Sequence, residues 1–435
     1  MKRRIITVFV LVIVLSTNNT FAGTSPLDGL FEYLYANKLF NGVVLIANNN
    51  KVIYKKAFGY SNREWQVYNT VDTKFELGSI SKQFTAAVIR RLASEGRIKL
   101  TDTISRYFPE LSSSLTSNVT IEQLLNHTSG IPNYVRFQNF IPILSKILFS
   151  KTEYLDELNK HELLFTPGTS FHYSNTGYML LGIIVEKVTS KSLIQAFKER
   201  IFDPLGMENT GAFDEEKVIP ARAYGYERGS NNEYIIPGYM KKSEIILAEA
   251  GLYSTVDDLF RWYNAQQSGK ISPFKNIENG FAFSENSGYI NGNFYMVDKN
   301  PNSTIFHHEG SVPGSTALFM RVVEKNQCIV LLSNNGMAQE NVLLTIANVI
   351  REYLNGQPIQ IPKFDAYNSL IYSAIYCDAS VVETQYECLK SNYRDIYNFD
   401  SGQISALSNI LLSVFDLQQK AEQLIKLNKK LYPDE

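Results

Sequence analysis

The sequence predicts an α+β fold in which strands from the two ends of one domain share a sheet and helices fill the sequence between them. Three observations predict it. Residues 41–60, "NGVVLIANNNKVIYKKAFGY", are two β-branched-rich runs around an Asn-rich turn at Asn48–Asn50, the pattern of a hairpin. Residues 315–335, "STALFMRVVEKNQCIVLLSNN", read as a second hairpin turning near Glu324–Gln327. Between them apolar residues recur at helical spacing. Examples are "TIEQLLNHTSG", where Thr120 and Gln123 have capping-box spacing, and "NTGYMLLGIIVEKVTSKSLIQAFKERIF" from Asn175.

Before the first hairpin, "MKRRIITVFVLVIVLSTNNTFAG" sets Lys2, Arg3 and Arg4 ahead of an apolar run from Ile5 to Leu15 and a small-residue site at Thr20-Phe21-Ala22. This is the pattern of a cleaved signal peptide over residues 1–22, which implies a periplasmic or secreted protein. The run is short for a bilayer span, so no stable membrane span is expected after processing. No cysteine stands beside the expected cut, which argues against a lipoprotein. Loss of the leader removes three of 42 basic residues and none of 43 acidic ones, leaving a net charge of about −4 and no basic surplus for nucleic acid. With 435 residues, 44% of them hydrophobic, the chain can bury a large core.

The cysteines are Cys328, Cys377 and Cys388, too few for a disulfide framework. Cys328 sits inside the apolar "QCIVLLSN" and reads as a core residue, and a Cys377–Cys388 bridge is left open. Two prolines in "LNGQPIQIPKF", Pro358 and Pro362, mark a linker, after which residues 366–435 read as helical. The division expected is a leader over 1–22, a main domain over 23–355 and a helical C-terminal extension over 356–435. Its end, with Ala421 at a close-packing position and Tyr432-Pro433 closing it, is similar to half of a tetratricopeptide-like helix pair, an ordinary helical appendage being the alternative.

The chemistry centres on "FELGSISKQFTAA", residues 75–87, where Ser79 stands three positions before Lys82. A second Ser-x-x-Lys occurs at Ser272 and Lys275, so spacing alone decides nothing. Ile80, Phe84, Ala87, Val88 and Leu92 continue a helix after Ser79, whereas Pro273, Asn276 and Gly280 break one after Ser272. On a helix, residues three apart share a face, so the Lys82 amine can reach the Ser79 hydroxyl. A free lysine is protonated at neutral pH, with a pKa of about 10.4, so Lys82 needs burial, a second cation or a nearby tyrosine before the serine can lose its proton.

Taken with two further stretches, this pair resembles the serine β-lactamase and penicillin-binding-protein superfamily, in its class C-like branch. "YSNTGYMLLG" supplies Tyr173 and Asn175 as a Tyr-x-Asn element, and "HHEGSVPG" supplies His308 and Gly310 as a His-x-Gly form of Lys-Thr-Gly, in the family's order. The segments "LLNHTSGIP", "TPGTSFHYSN", "PLGMENT" and "AGLYSTVDDLFRW" resemble its framework, over about residues 28–350. The resemblance implies a β-lactamase/transpeptidase-like fold, an antiparallel sheet flanked by helices plus an all-helical subdomain. It implies Ser79 as the acylated nucleophile and Lys82 with Tyr173 as the proton-handling pair, either of them the base. Asn175 would hold the substrate amide or Lys82. His308 would replace the third-motif lysine, and the backbone N–H groups of Ser79 and Ser311 would form the oxyanion hole.

Glu309 occupies the middle of the third motif and, if it faces the cleft, disfavours an anionic ligand. His127 reads as a structural histidine holding a turn. The adjacent His307, His308 and Glu309 lack zinc-helix spacing, and Gly-rich phosphate loops are absent, so no metal or cofactor is expected. The expected substrate is a small molecule or peptide, cell-wall fragments included, cleaved by a peptidase or esterase. A true β-lactamase or D,D-carboxypeptidase is the enzymatic alternative, and a binding or scaffold protein using its C-terminal helices to hold a partner is the non-enzymatic one.

Overall fold

The structure, a computed structural model, describes residues 25–134, 150–214, 217–237, 244–271, 277–298, 303–336, 340–413, 415 and 417–433. The leader and the Ser272–Lys275 pair lie outside the described residues. Strands β1 (Gly42–Asn48) and β2 (Lys51–Phe58) form the first hairpin, with Asn48 opposite Lys51. Asn49 and Asn50 turn it at φ 50° and 58°, left-handed values that asparagine tolerates and that match the twist of the strands they join. After β3 (Phe281–Ser284), β4 (Ser287–Ile290), β5 (Asn293–Asp298) and β6 (Ser303–Val312), β7 (Ser315–Val322) and β8 (Gln327–Ser333) make the second hairpin. All eight strands form one antiparallel sheet in the order β3-β4-β5-β6-β7-β8-β1-β2. The two ends of the domain meet where β1 pairs β8, with Gly42 opposite Ser333 and Ala47 opposite Cys328.

Strands β1, β7 and β8 are buried along almost their whole length, because helices cover both faces of the sheet. Alternate residues serve opposite cores. Val43, Leu45, Phe319, Val330 and Leu332 pack with helices α2 (Ser81–Ser94), α3 (Asn175–Thr189) and α4 (Val256–Gln267) through residues such as Phe84, Leu180 and Trp262. Val44, Ile46, Leu318, Met320, Ile329 and Leu331 pack on the other face with α1 (Pro26–Ala36) and α5 (Glu340–Leu354). The fold is α+β, with the antiparallel sheet between helical layers. Cys328 is fully buried, and burial pushes its thiol up.

Helices α6 (Ile371–Tyr376), α7 (Ala379–Asn392), α8 (Ser401–Ser413) and α9 (Gln418–Leu431) follow the Pro-rich segment. Their Val382, Leu389, Leu407 and Leu424 belong to the same buried cluster as α1, α5 and that face of the sheet. The sequence changes texture at residue 356, but the apolar core runs across that point. Ala421 of α9 is fully buried, its carbonyl accepting from Ser408 Oγ of α8 at 3.2 Å. All three cysteines are free. Among the described residues no helix is long and apolar enough to cross a membrane.

Candidate active site

The segment before α2 makes one 3-10 turn, Gly78–Ile80, so Ser79 stands on the approach to the helix rather than within it. Gly78 has φ 51°, which glycine adopts without strain. Side chains of α2 fix its register: Ser81 Oγ accepts from Leu252 N at 3.2 Å, and Thr85 Oγ1 donates to Ala248 O at 2.6 Å. Lys82 is fully buried, and its Nζ donates to Ser79 Oγ at 3.0 Å, to Glu249 O at 3.0 Å and to Glu249 Oε2 at 3.1 Å. The other Glu249 oxygen, Oε1, accepts from Tyr134 Oη at 2.9 Å. Burial, and then the facing Glu249 charge, push the Tyr134 phenol well above its ordinary value, so it stays protonated.

Tyr173 reaches the same centre from the residues before α3. Ser174 caps that helix by accepting from Gly177 N, and its own N–H is held by His127 Nδ1 at 3.1 Å. Lys82 Nζ lies 5.0 Å from the centre of the Tyr173 ring. On another side the His127 ring is 4.2 Å from it. His127 has φ 57° at a tight turn and is buried, and burial, reinforced by Lys82, keeps its imidazole neutral. Asn175 opens α3, and its buried Oδ1 has no partner among the described residues.

Strand β6 closes the site. A methyl group on Gly310 would lie 1.8 Å from Leu77 O and 3.0 Å from Ser79 N, and one on Gly78 would lie 2.6 Å from Ser311 N. Only a glycine on each side lets strand and turn touch backbone to backbone, which brings the Ser79 and Ser311 amides into one neighbourhood. The His308 ring centre is 6.1 Å from that of Tyr173. Its Nδ1–H donates to the Glu309 carbonyl, so Nε2 is the acceptor and faces Tyr289 Oη at 3.4 Å. Burial lowers the His308 pKa to about 4, partly opposed by the Glu309 charge, so the third motif presents a neutral ring where a lysine would present a cation.

By strand alternation Glu309 shares a face with His307 and Ser311, opposite His308 and Gly310. Its Oε1 meets His307 Nδ1 at 3.0 Å. Burial alone would raise its carboxyl, but the His307 imidazole outweighs that and holds it below the usual value, so Glu309 is ionised at neutral pH. Glu309 is nearly buried.

The structure thus brings Ser79, Lys82, Tyr173, His308, Gly310 and Ser311 to one centre, with Asn175 two residues after Tyr173 at the start of α3. It adds Glu249 and Tyr134, which sequence reading missed. Glu249 stands as a lone acid between Ala248 and Ala250 in "ILAEAGLYST", but its partner lies 167 residues away and no local spacing points to it.

A family model described as Beta-lactamase matches residues 27–346. Penicillin-binding protein 4* of Bacillus subtilis is 30% identical over 378 residues, covering 80% of each protein. A solved structure of an octameric penicillin-binding protein homologue from Pyrococcus abyssi is 26% identical, with a TM-score of 0.63 over 79% of this chain and 80% of that one. The fold is also shared with D-amino acid amidase from Ochrobactrum anthropi, solved with D-phenylalanine, at 23% identity and a TM-score of 0.65 over 77% of this chain and all of that one. The chain therefore belongs to the beta-lactamase family, whose fold is that of serine hydrolases acting through an acyl-enzyme.

Proposed function

We propose that this chain is an exported serine hydrolase that forms an acyl-enzyme at Ser79 on an amide or ester substrate and releases the acyl group to water. The observation that carries this reading is the 3.0 Å bond between Ser79 Oγ and the buried Lys82 Nζ, on a turn in backbone contact with Gly310 and Ser311. Attack by Oγ on a carbonyl carbon puts negative charge on the carbonyl oxygen, and the Ser79 and Ser311 amides are the donors for it. Tyr173, beside both Lys82 and His308, returns a proton to the leaving group. Asn175 Oδ1 offers an unused acceptor to a substrate N–H.

Two features bear on substrate charge. His308 is neutral, and Glu309 beside it is ionised, so the third motif offers no net attraction to a substrate carboxylate. This favours a peptidase or esterase acting on neutral amides or esters of small molecules or peptides. The likeness to penicillin-binding protein 4* favours as second reading a β-lactamase or D,D-carboxypeptidase. The leader pattern over residues 1–22 supports export to the periplasm or medium. A non-enzymatic partner-binding role would leave the buried lysine without a task.

Turnover of matched neutral amides, neutral esters and a chromogenic cephalosporin by the exported protein tests the reading, with N-terminal sequencing of the same material. Turnover of the neutral substrates and a start near Gly23 are expected. Preference for the cephalosporin, or retention of Met1, contradicts the substrate or the export part.

A further inference from the structure

We infer that Glu249 is the proton-holding partner of Lys82, so that the Lys82–Glu249 pair, and not Tyr173, draws the proton from Ser79. This rests on the acyl-transfer reading and adds a residue to it. Glu249 acts through Lys82 and is a positioning residue.

The geometry is specific. Glu249 is 2% exposed and Lys82 is fully buried, and the ammonium meets both the carbonyl and the carboxylate of the same residue. The second carboxylate oxygen is held by Tyr134. Away from water, desolvation weighs against the ammonium–carboxylate form, which brings the amine–carboxylic acid form closer in energy than it is at a surface. The proton can therefore pass along a bond already made.

Tyr173 has the weaker claim. A tyrosine is a base only as phenolate, which needs net positive surroundings. The titratable groups around the pair and Tyr173 include Tyr134 and His127 from the segment after Leu125, His172 next to Tyr173, Tyr154 from Lys151–Leu158, Tyr178 from α3, Tyr289 from β4, His308 from β6 and, behind Tyr134, Tyr376 from α6. His127 and His308 are neutral through burial. Burial likewise holds the Tyr134, Tyr154, Tyr178 and Tyr289 phenols protonated. The charge of Lys82, the one cation over the ring among these groups, is cancelled by Glu249.

The steps balance. The Lys82 ammonium gives a proton to Glu249. Ser79 Oγ then bonds the carbonyl carbon while its proton goes to the Lys82 amine, leaving an oxyanion before the Ser79 and Ser311 amides. As the bond to the leaving group breaks, Tyr173 protonates that group, Lys82 reprotonates Tyr173, and Glu249 returns its proton to Lys82. The net result is transfer of the Ser79 proton to the leaving group.

The test is the rate constant for Ser79 labelling by a fluorophosphonate against pH, in the full chain and in Glu249→Gln, with thermal melts to show folding. The wild type is expected to reach its plateau by about pH 7. A lone Lys82 must release its proton to solvent, so Glu249→Gln is expected to be about 100-fold slower there and to climb toward the wild-type rate in the alkaline range. Glu249→Asp recovers part of the neutral plateau. If Glu249→Gln does not fold, Tyr134→Phe serves instead: loss of its donor makes Glu249 easier to protonate, which moves the acid limb to higher pH.

A Glu249→Gln loss equal at every pH, full activity of that variant at neutral pH, or an unmoved limb in Tyr134→Phe overturns the inference alone. A wild type that is not labelled overturns the acyl-transfer reading and this inference with it.

Discussion

Gly310 on β6 lies so close to Leu77 that a single added methyl group would sit 1.8 Å from the Leu77 carbonyl oxygen. The turn that carries Ser79 is therefore seated on the strand by backbone contact, with no side chain between them. Gly310→Ala should push the two apart by about 1 Å or more. The expected cost is about 1–3 kcal/mol in stability and about a hundredfold in the Ser79 labelling rate, read by denaturant melts and phosphonate kinetics. Unchanged labelling would mean that the turn does not depend on this contact.

Burial holds the His308 pKa at about 4, below the ordinary histidine value of about 6.5. In that window the unfolded chain binds the proton and the folded chain does not. Stability is therefore full above about pH 6.5 and falls as the pH drops toward 4, by about 3 kcal/mol from this residue. His127, lowered in the same direction, adds to the loss. Guanidinium midpoints at several pH values should show this slope, and His308→Gln should flatten it in part. An unchanged slope in His308→Gln contradicts the buried neutral state.

Glu309 is ionised beside Ser311 and paired with His307. Glu309→Thr removes that charge and adds a hydroxyl. Acylation by carboxylate-bearing β-lactams should improve relative to acylation by neutral esters by about 1–2 kcal/mol, or roughly five- to thirtyfold. The ratio of the two rates is the measurement, since poorer folding would lower both together. Equal changes for the two substrate types would falsify the charge filter.

The C-terminal helices share the core of α1 and α5 but contribute none of the residues gathered around Ser79. A chain ending at residue 365 loses the buried Leu389, Leu407 and Leu424 and should melt well below the full chain, yet keep Ser79 labelling where it remains folded. A folded truncation without labelling would show that these helices shape the site.

The parts legible in the sequence are those whose signal is local. Asn49 and Asn50 turn the first hairpin, Thr120 and Gln123 form their reciprocal cap, and the apolar runs of β1, β7 and β8 mark strands covered on both faces. Strands β3 to β5 carry no clear local signal. "FAFSENSGYINGNFYMVD" mixes polar and aromatic residues at the sheet's edge, where one row faces solvent and a Phe such as Phe283 remains half exposed. The extension's texture was legible, but not that its apolar residues complete a core begun by α1. Ser79 and Lys82 were legible because a helix places them together. Glu249 and Tyr134 were not, since only the tertiary fold brings them to the lysine.

The central claim is that Ser79 is the acylated residue, and peptide mapping by mass spectrometry after fluorophosphonate labelling tests it most directly, in the wild type, Ser79→Ala and Ser272→Ala. One adduct is expected on the peptide carrying Ser79, absent from Ser79→Ala and intact in Ser272→Ala. An adduct of equal yield on Ser79→Ala would contradict it.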